Sequence, residues 1–137
     1  MLAPIISYGQ TKNDVLRSIT NEILDIAEKK WNSVPIQPSL DDVDGALKEC
    51  SKAIRLDPKN SRAYELRAMI RSDAKDYYGA ISDYTKLIEL DPSAWNYYNR
   101  ALMKLGVDDH NGSCADFKKA SSMENGPWNS MERQKCN

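Results

Sequence analysis

Two segments of the chain, residues 43–56 and 77–90, carry the same pattern of side chains at an offset of 34 positions. Both segments then end on Asp-Pro, at Asp57-Pro58 and Asp91-Pro92. A fixed period of this length is typical of a helical solenoid, in which each unit buries its apolar face only by stacking on the next. The matched pairs are Val43 with Tyr77, Ala46 with Ala80, Leu47 with Ile81, Cys50 with Tyr84, Ala53 with Leu87, Ile54 with Ile88 and Leu56 with Leu90. Because such stacks expose a concave surface, the repeat favours a binding protein over an enzyme.

Apolar residues recur at three- and four-residue steps through most of the chain, which predicts a succession of helices. The predicted helices cover residues 12–31, 42–56, 61–73, 77–90, 93–105, 110–123 and 127–136. Residues 1–10 are expected to form an extended arm. Pro35 and Pro38 predict a linker, because proline cannot sit inside a helix. We therefore divide the chain into an arm, helix and linker at 1–40, a repeat stack at 41–125 and a C-terminal cap at 126–137.

The repeat has small residues where helices would cross closely and proline after the second helix of each unit. The small positions are Ala68 and Ala101 in the first helices, and Ala46, Ala80 and Ser113 in the second helices. Tyr84 and Phe117 occupy a shared aromatic position. In these features the chain resembles the tetratricopeptide repeat family over residues 42–123. The resemblance implies an all-α fold, a right-handed α-solenoid of antiparallel helix pairs, with an irregular N-terminal helix and a short C-terminal capping helix.

The resemblance weakens at the N-terminal end, where Pro35 and Pro38 fall inside the expected first helix of the first unit. We expect helix 12–31 to replace it and to cover the apolar residues of helix 42–56. The stack is then close to the lower limit of about three repeats that a stable array needs.

Composition excludes several classes of protein. Charged residues make up 28% of the 137-residue chain and the net charge is −1, so no basic face predicts nucleic-acid binding. No stretch is apolar for long enough to span a membrane. The first residues lack the basic region of a secretory signal, and we therefore expect a cytoplasmic protein.

The three cysteines, Cys50, Cys114 and Cys136, show neither zinc-ligand spacing nor a disulfide framework. Cys50 lies on an apolar stripe and is expected to be buried. Cys114 and Cys136 could form a bridge if the last helix folds back on the one before it. Reduced thiols are the expected state in a cytoplasmic protein.

The sequence predicts no enzyme, no cofactor and no metal site. The single histidine follows two carboxylates in Asp108-Asp109-His110, but consecutive residues point in different directions and no second histidine completes a ligand shell. The acidic residues are better explained as the capped start of a helix. Neither a glycine-rich phosphate loop nor a nucleophile motif is present.

In tetratricopeptide repeat proteins the first helix of each pair lines the concave groove. The resemblance therefore implies a partner-binding surface made of Arg62, Glu65, Met69, Asp73, Trp95, Tyr98, Asn99 and Leu102. Trp95 and Tyr98, one turn apart, would form an exposed aromatic step beside Arg62, since aromatic residues and arginine dominate binding hot spots. The alternative is that both aromatic residues pack in the core.

One subclass of the family clamps a C-terminal carboxylate with Lys, Asn and Arg on successive first helices. Asn99 matches one element, but Glu65 and Met69 stand where Lys and Asn are expected. We therefore predict that this protein is an interaction module or scaffold, and that it binds a protein or peptide partner of mixed or basic character. A homodimer, or an assembly or regulatory subunit of a larger complex, is the alternative.

Overall fold

The computed structural model describes residues 11–33 and 39–136, which form seven α-helices and no strand. The helices are α1 Lys12–Asn32, α2 Leu40–Leu56, α3 Ser61–Asp73, α4 Tyr77–Leu90, α5 Ala94–Gly106, α6 His110–Met123 and α7 Pro127–Lys135. Every predicted helix is present, and the expected all-α repeat fold is confirmed. The arm at 1–10 and the prolines of the linker lie outside the described residues. In the described part of the chain, no helix has the length and apolar character that crossing a membrane requires.

Helix α2 begins two residues before its predicted start because Ser39 and Asp42 form a reciprocal cap. The backbone N–H of Asp42 donates to the Ser39 hydroxyl at 3.3 Å, and the backbone N–H of Ser39 donates to the Asp42 carboxylate at 3.2 Å. Thr11 and Asp14 make the same arrangement at the start of α1. Such caps satisfy backbone donors that the first helical turn leaves unpaired.

Helices α4 and α6 begin with the same turn, repeated at an offset of 33 positions. Asp76 accepts a hydrogen bond from the backbone N–H of Gly79, and Asp109 accepts one from Gly112. A side chain at either glycine would overlap the capping carboxylate, which explains why glycine stands there. Asp109 is therefore a helix cap, as the sequence predicts.

The chain forms two compact units, Met1–Ala63 and Tyr64–Asn137. In unit 1, α1 packs against α2 and buries Leu24 and Ala27 on its own side and Cys50 on the other. The expectation that Cys50 is buried is confirmed.

In unit 2, α4 packs on α5, α5 on α6, and α6 on α7. The predicted small residues Ala80, Ala101 and Ser113 are fully buried, which allows these helices to approach closely. Gly106, the last residue of α5, has a similar role, because a Cβ atom there would lie 2.9 Å from the Tyr77 ring of α4.

The structure corrects the expectation of reduced thiols at the end of the chain. Helix α7 folds back on α6, and Cys114 and Cys136 form a disulfide with their Cα atoms 5.4 Å apart. Trp128 is buried on the same helix, and its indole N–H donates to the backbone carbonyl of Glu124 at 2.7 Å. The disulfide and the burial of Trp128 in the apolar cluster of unit 2 therefore hold α7 in place.

Candidate functional site

The first feature of the site is the start of α5, where two aromatic rings lie on one face of the helix. Ser93 caps the helix by accepting from the backbone N–H of Asn96, and the three-residue spacing then brings Trp95 and Tyr98 together. Their ring centroids are 5.6 Å apart and the rings are tilted by 34°. Trp95 remains 51% exposed, although large apolar residues usually bury more of their surface.

Tyr98 connects this exposed ring to the core of unit 2. Its ring centroid lies 5.9 Å from that of Phe117 on α6 and 5.9 Å from that of Trp128 on α7. Phe117 and Trp128 belong to the buried cluster of the unit, against which Tyr98 packs. The sequence left two interpretations open for this pair, exposure in a groove or packing in the core. Trp95 is exposed to solvent, whereas Tyr98 packs against the core.

Helix α3 contributes a second row of exposed side chains at four-residue spacing. Glu65, Met69 and Asp73 lie on this row, and Met69 keeps 49% of its surface accessible. Residues four apart lie on one face of a helix. Among the described residues, neither Glu65 nor Asp73 has a salt-bridge partner, so this row presents unneutralised negative charge around an apolar residue.

The remaining predicted residues differ in their surroundings. Asn99 is half-buried on α5, and Leu102 packs against the buried cluster of unit 2. Arg62 belongs to unit 1, where its guanidinium donates to Asp25 and to Glu28, both at 2.7 Å. These two hydrogen bonds raise the pKa of Arg62 above its ordinary value. Its charge is therefore already neutralised within unit 1.

A buried ionic cluster joins α3 to α4. Arg67 donates to both carboxylate oxygens of Asp83, at 3.0 Å from Nε and 2.7 Å from Nη2, and Arg71 donates at 2.7 Å. Asp83 is only 2% exposed. A buried carboxylate needs this number of charged donors to offset its lost hydration.

The same cluster recurs between α5 and α6. Arg100 donates to Asp116 from Nε at 2.8 Å and from Nη2 at 2.7 Å, and Lys104 lies 2.8 Å from the same carboxylate. The hydrogen bonds to Asp116 raise the pKa of Arg100 above its ordinary value, although burial acts in the opposite direction. These clusters fix the helices that carry Met69 and Trp95.

The apolar spacing does not predict these clusters, although the repeat contains a signal for them. Arg67 and Arg100 are 33 positions apart, and so are Asp83 and Asp116. Charges that recur at one repeat position beside an apolar stripe indicate a shared structural role. Glu49 stands 34 positions before Asp83, and in unit 1 it pairs with Lys30 of α1 at 3.4 Å. Helix α1 therefore supplies to α2 the basic partner that α3 supplies to α4.

The described residues contain no group of three or more histidine, cysteine or acidic side chains placed to hold a metal ion. His110 is exposed at the start of α6, directly after its cap. The features that distinguish the described residues are therefore an exposed aromatic residue packed on the core of unit 2 and an acidic row on α3.

Comparison with known proteins finds one matching family model and several similar solved structures. Residues 61–93 match the family model described as tetratricopeptide repeat. A search of curated proteins finds no match. The NMR structure of the first TPR domain of human RPAP3 aligns with a TM-score of 0.68 and 17% identity, covering 84% of this chain and 87% of that one. The first TPR of Spaghetti (RPAP3), bound to the HSP90 peptide SRMEEVD, aligns with a TM-score of 0.70 and 18% identity, covering 84% and 88%.

Proposed function

We propose that the chain is a protein-interaction module, because residues 61–93 match the tetratricopeptide repeat family and the fold is similar to that of solved tetratricopeptide repeat domains. In this proposal α3 and α5, the first helices of successive pairs, present one surface to a peptide or helix of a partner protein. The observation that carries the proposal is Trp95, a large aromatic side chain that is half exposed although it stands on a fully packed support.

Rigid support makes an exposed aromatic residue a good binding anchor. The Tyr98 ring packs against the Trp95 ring, and the rings of Phe117 and Trp128 pack against Tyr98. A side chain that is already ordered loses little conformational entropy on binding, so more of the contact energy appears as affinity. Tryptophan is also among the residues that most often dominate interface energies.

The charge of the surface favours a partner segment that combines basic and apolar residues. Glu65 and Asp73 flank Met69 on α3 and would attract lysine or arginine side chains. Four basic residues of the same helices are engaged by buried carboxylates: Arg67 and Arg71 by Asp83, and Arg100 and Lys104 by Asp116. We therefore propose a ligand unlike the peptide SRMEEVD that the Spaghetti domain holds. The acidic residues of such a peptide would face the carboxylate of Glu65 and the apolar side chain of Met69 in this protein.

The proposal is tested by affinity capture from a lysate with three forms of the protein. Wild type is compared with Trp95→Ala and with Tyr78→Ala, the latter as a matched control because Tyr78 is a 74% exposed aromatic residue on α4 of the same unit. Tyr98 is left intact because its removal would disturb the core. We expect a partner that wild type and Tyr78→Ala retain and Trp95→Ala loses, with equal helicity in all three.

Equal capture by Trp95→Ala and wild type would contradict the proposed surface. Sedimentation velocity over a wide concentration range tests the competing idea of a homodimer. A monomer at all concentrations agrees with an interaction module. A dimer that Trp95→Ala dissociates would instead assign the surface to a second copy of the chain.

A further inference from the structure

A second site of unit 2 surrounds the disulfide between α6 and α7. An open cavity of about 490 Å³ is bordered by both Cys114 and Cys136. Both cysteines are partly exposed, so a small molecule can reach the bridge from solvent. This distinguishes the pair from a buried structural disulfide, which solutes do not reach without unfolding.

The described lining of this cavity is basic. Lys118 and Lys135 border it together with His110, and its described lining contains no carboxylate. His110 and Lys118 stand four residues before and four residues after Cys114, so one helical face of α6 places them on either side of its sulfur. A lysine ammonium group next to a sulfur stabilises its thiolate form.

We infer that this cavity is a reaction site for an anionic thiol of low molecular mass, for which glutathione is the probe. The thiolate sulfur of glutathione attacks Sγ of Cys136, a new sulfur–sulfur bond forms there, and the bond between Cys136 and Cys114 breaks. Cys114 leaves as a thiolate, which carries the electron pair of the broken bond and is stabilised by the ammonium group of Lys118. The product is a mixed disulfide on Cys136.

The basic lining has two separate effects on this exchange. It attracts the negatively charged reagent, which raises its local concentration. It also places positive charge next to the departing sulfur, and a leaving thiolate that is stabilised departs faster. A second molecule of glutathione can then attack the mixed disulfide, forming oxidised glutathione and leaving Cys114 and Cys136 both reduced.

The test uses the folded 137-residue protein and maps the adduct by mass spectrometry after acid quenching. The rate of opening by glutathione is divided by the rate with 2-mercaptoethanol, a neutral thiol, so that general changes in reactivity cancel. The ratio is measured for wild type, Lys118→Gln and Lys135→Gln. Lys119→Gln is the matched control, because it removes an equal charge from α6 but does not border the cavity.

We expect an adduct on Cys136 in the folded protein, and a ratio that falls about threefold in Lys118→Gln and Lys135→Gln, the size typical of one partly exposed charge interaction. Lys119→Gln should keep the wild-type ratio. An adduct that forms only in denaturant would overturn the inference, and so would an adduct mainly on Cys114. Equal ratios in all four proteins would show that the basic lining does not attract the anionic thiol, and would overturn the inference.

Discussion

The buried cluster around Asp83 gives the sharpest prediction of stability. Changing Asp83 to Asn keeps the size of the side chain but removes the charge that Arg67 and Arg71 share. The amide has one acceptor oxygen where the carboxylate has two, and its NH₂ group would face the guanidinium nitrogens that now lie 2.7 to 3.0 Å from carboxylate oxygens. Two positive charges would then remain at the interface of α3 and α4 without the carboxylate that neutralises them.

The magnitude follows from the burial of the three side chains. Removing one partner of a buried ion pair costs about 3–5 kcal/mol. The side chains of Arg67 and Arg71 are 16% and 24% exposed, so water can partly rehydrate them. We therefore expect Asp83→Asn to lower the free energy of unfolding by about 2–4 kcal/mol, which would shift a urea midpoint by about 1–2 M.

The assay is urea unfolding followed by circular dichroism, with Glu89→Gln as the control. Glu89 lies on the same helix, and its replacement by Gln removes the same charge. Its ion pair with Lys86 is exposed and should contribute little to stability. A double variant, Asp83→Asn with Arg67→Gln, should be less destabilised than the sum of the single changes, because the second substitution removes one of the buried charges that the first leaves without a carboxylate. A midpoint for Asp83→Asn equal to that of Glu89→Gln would refute this account of the cluster.

Four further changes should alter stability for separate reasons, each measured by the same unfolding assay. Gly45→Ala should stabilise the protein by about 0.5–1 kcal/mol, since the new Cβ would have no described atom within 4 Å beyond its chain neighbours and the backbone of its own helix. Gly106→Ala should instead destabilise the protein by about 1 kcal/mol, because its Cβ meets the Tyr77 ring. Ala80→Leu should cost about 1–3 kcal/mol through overpacking, and an unchanged midpoint would contradict the close packing at this position. Burial, together with the nearby carboxylates, raises the pKa of Tyr84 to about 12. The folded state therefore favours the neutral phenol. The contribution of Tyr84 to the free energy of unfolding is complete below the unfolded pKa of about 10 and is lost between about pH 10 and 12. Tyr84→Phe should accordingly lose less stability than wild type over that range, and equal pH profiles would show that Tyr84 does not control it.

The helices were predictable because each depends on local chemistry that repeats along the chain. The apolar spacing, Pro58 and the capping aspartates determine where a helix begins and ends, whatever packs against it. The predicted start of α2 is two residues too late because the apolar spacing alone does not identify Ser39 as a cap. The burial of Cys50 and Ala80 also followed from their places on apolar stripes.

The ionic clusters and the disulfide depend on distances between helices, which a sequence pattern does not contain. Arg67 and Asp83 are 16 positions apart and meet only after α3 and α4 have packed. Cys114 and Cys136 meet only because α7 turns back on α6. The same reason explains the two aromatic residues of the site: the spacing placed Trp95 and Tyr98 on one face, but only packing separates the exposed ring from the anchored one.

The most direct test of the proposed surface is a nuclear magnetic resonance titration that follows the indole N–H signals of the three tryptophans. The probe is the minimal segment of the captured partner, added to protein labelled with nitrogen-15. Trp31 in unit 1 and the buried Trp128 serve as internal controls for Trp95. Binding at the proposed surface predicts a large, saturable shift of the Trp95 signal and smaller changes at the other two. A saturable shift of Trp31 with an unchanged Trp95 signal would place the partner elsewhere and contradict the proposal.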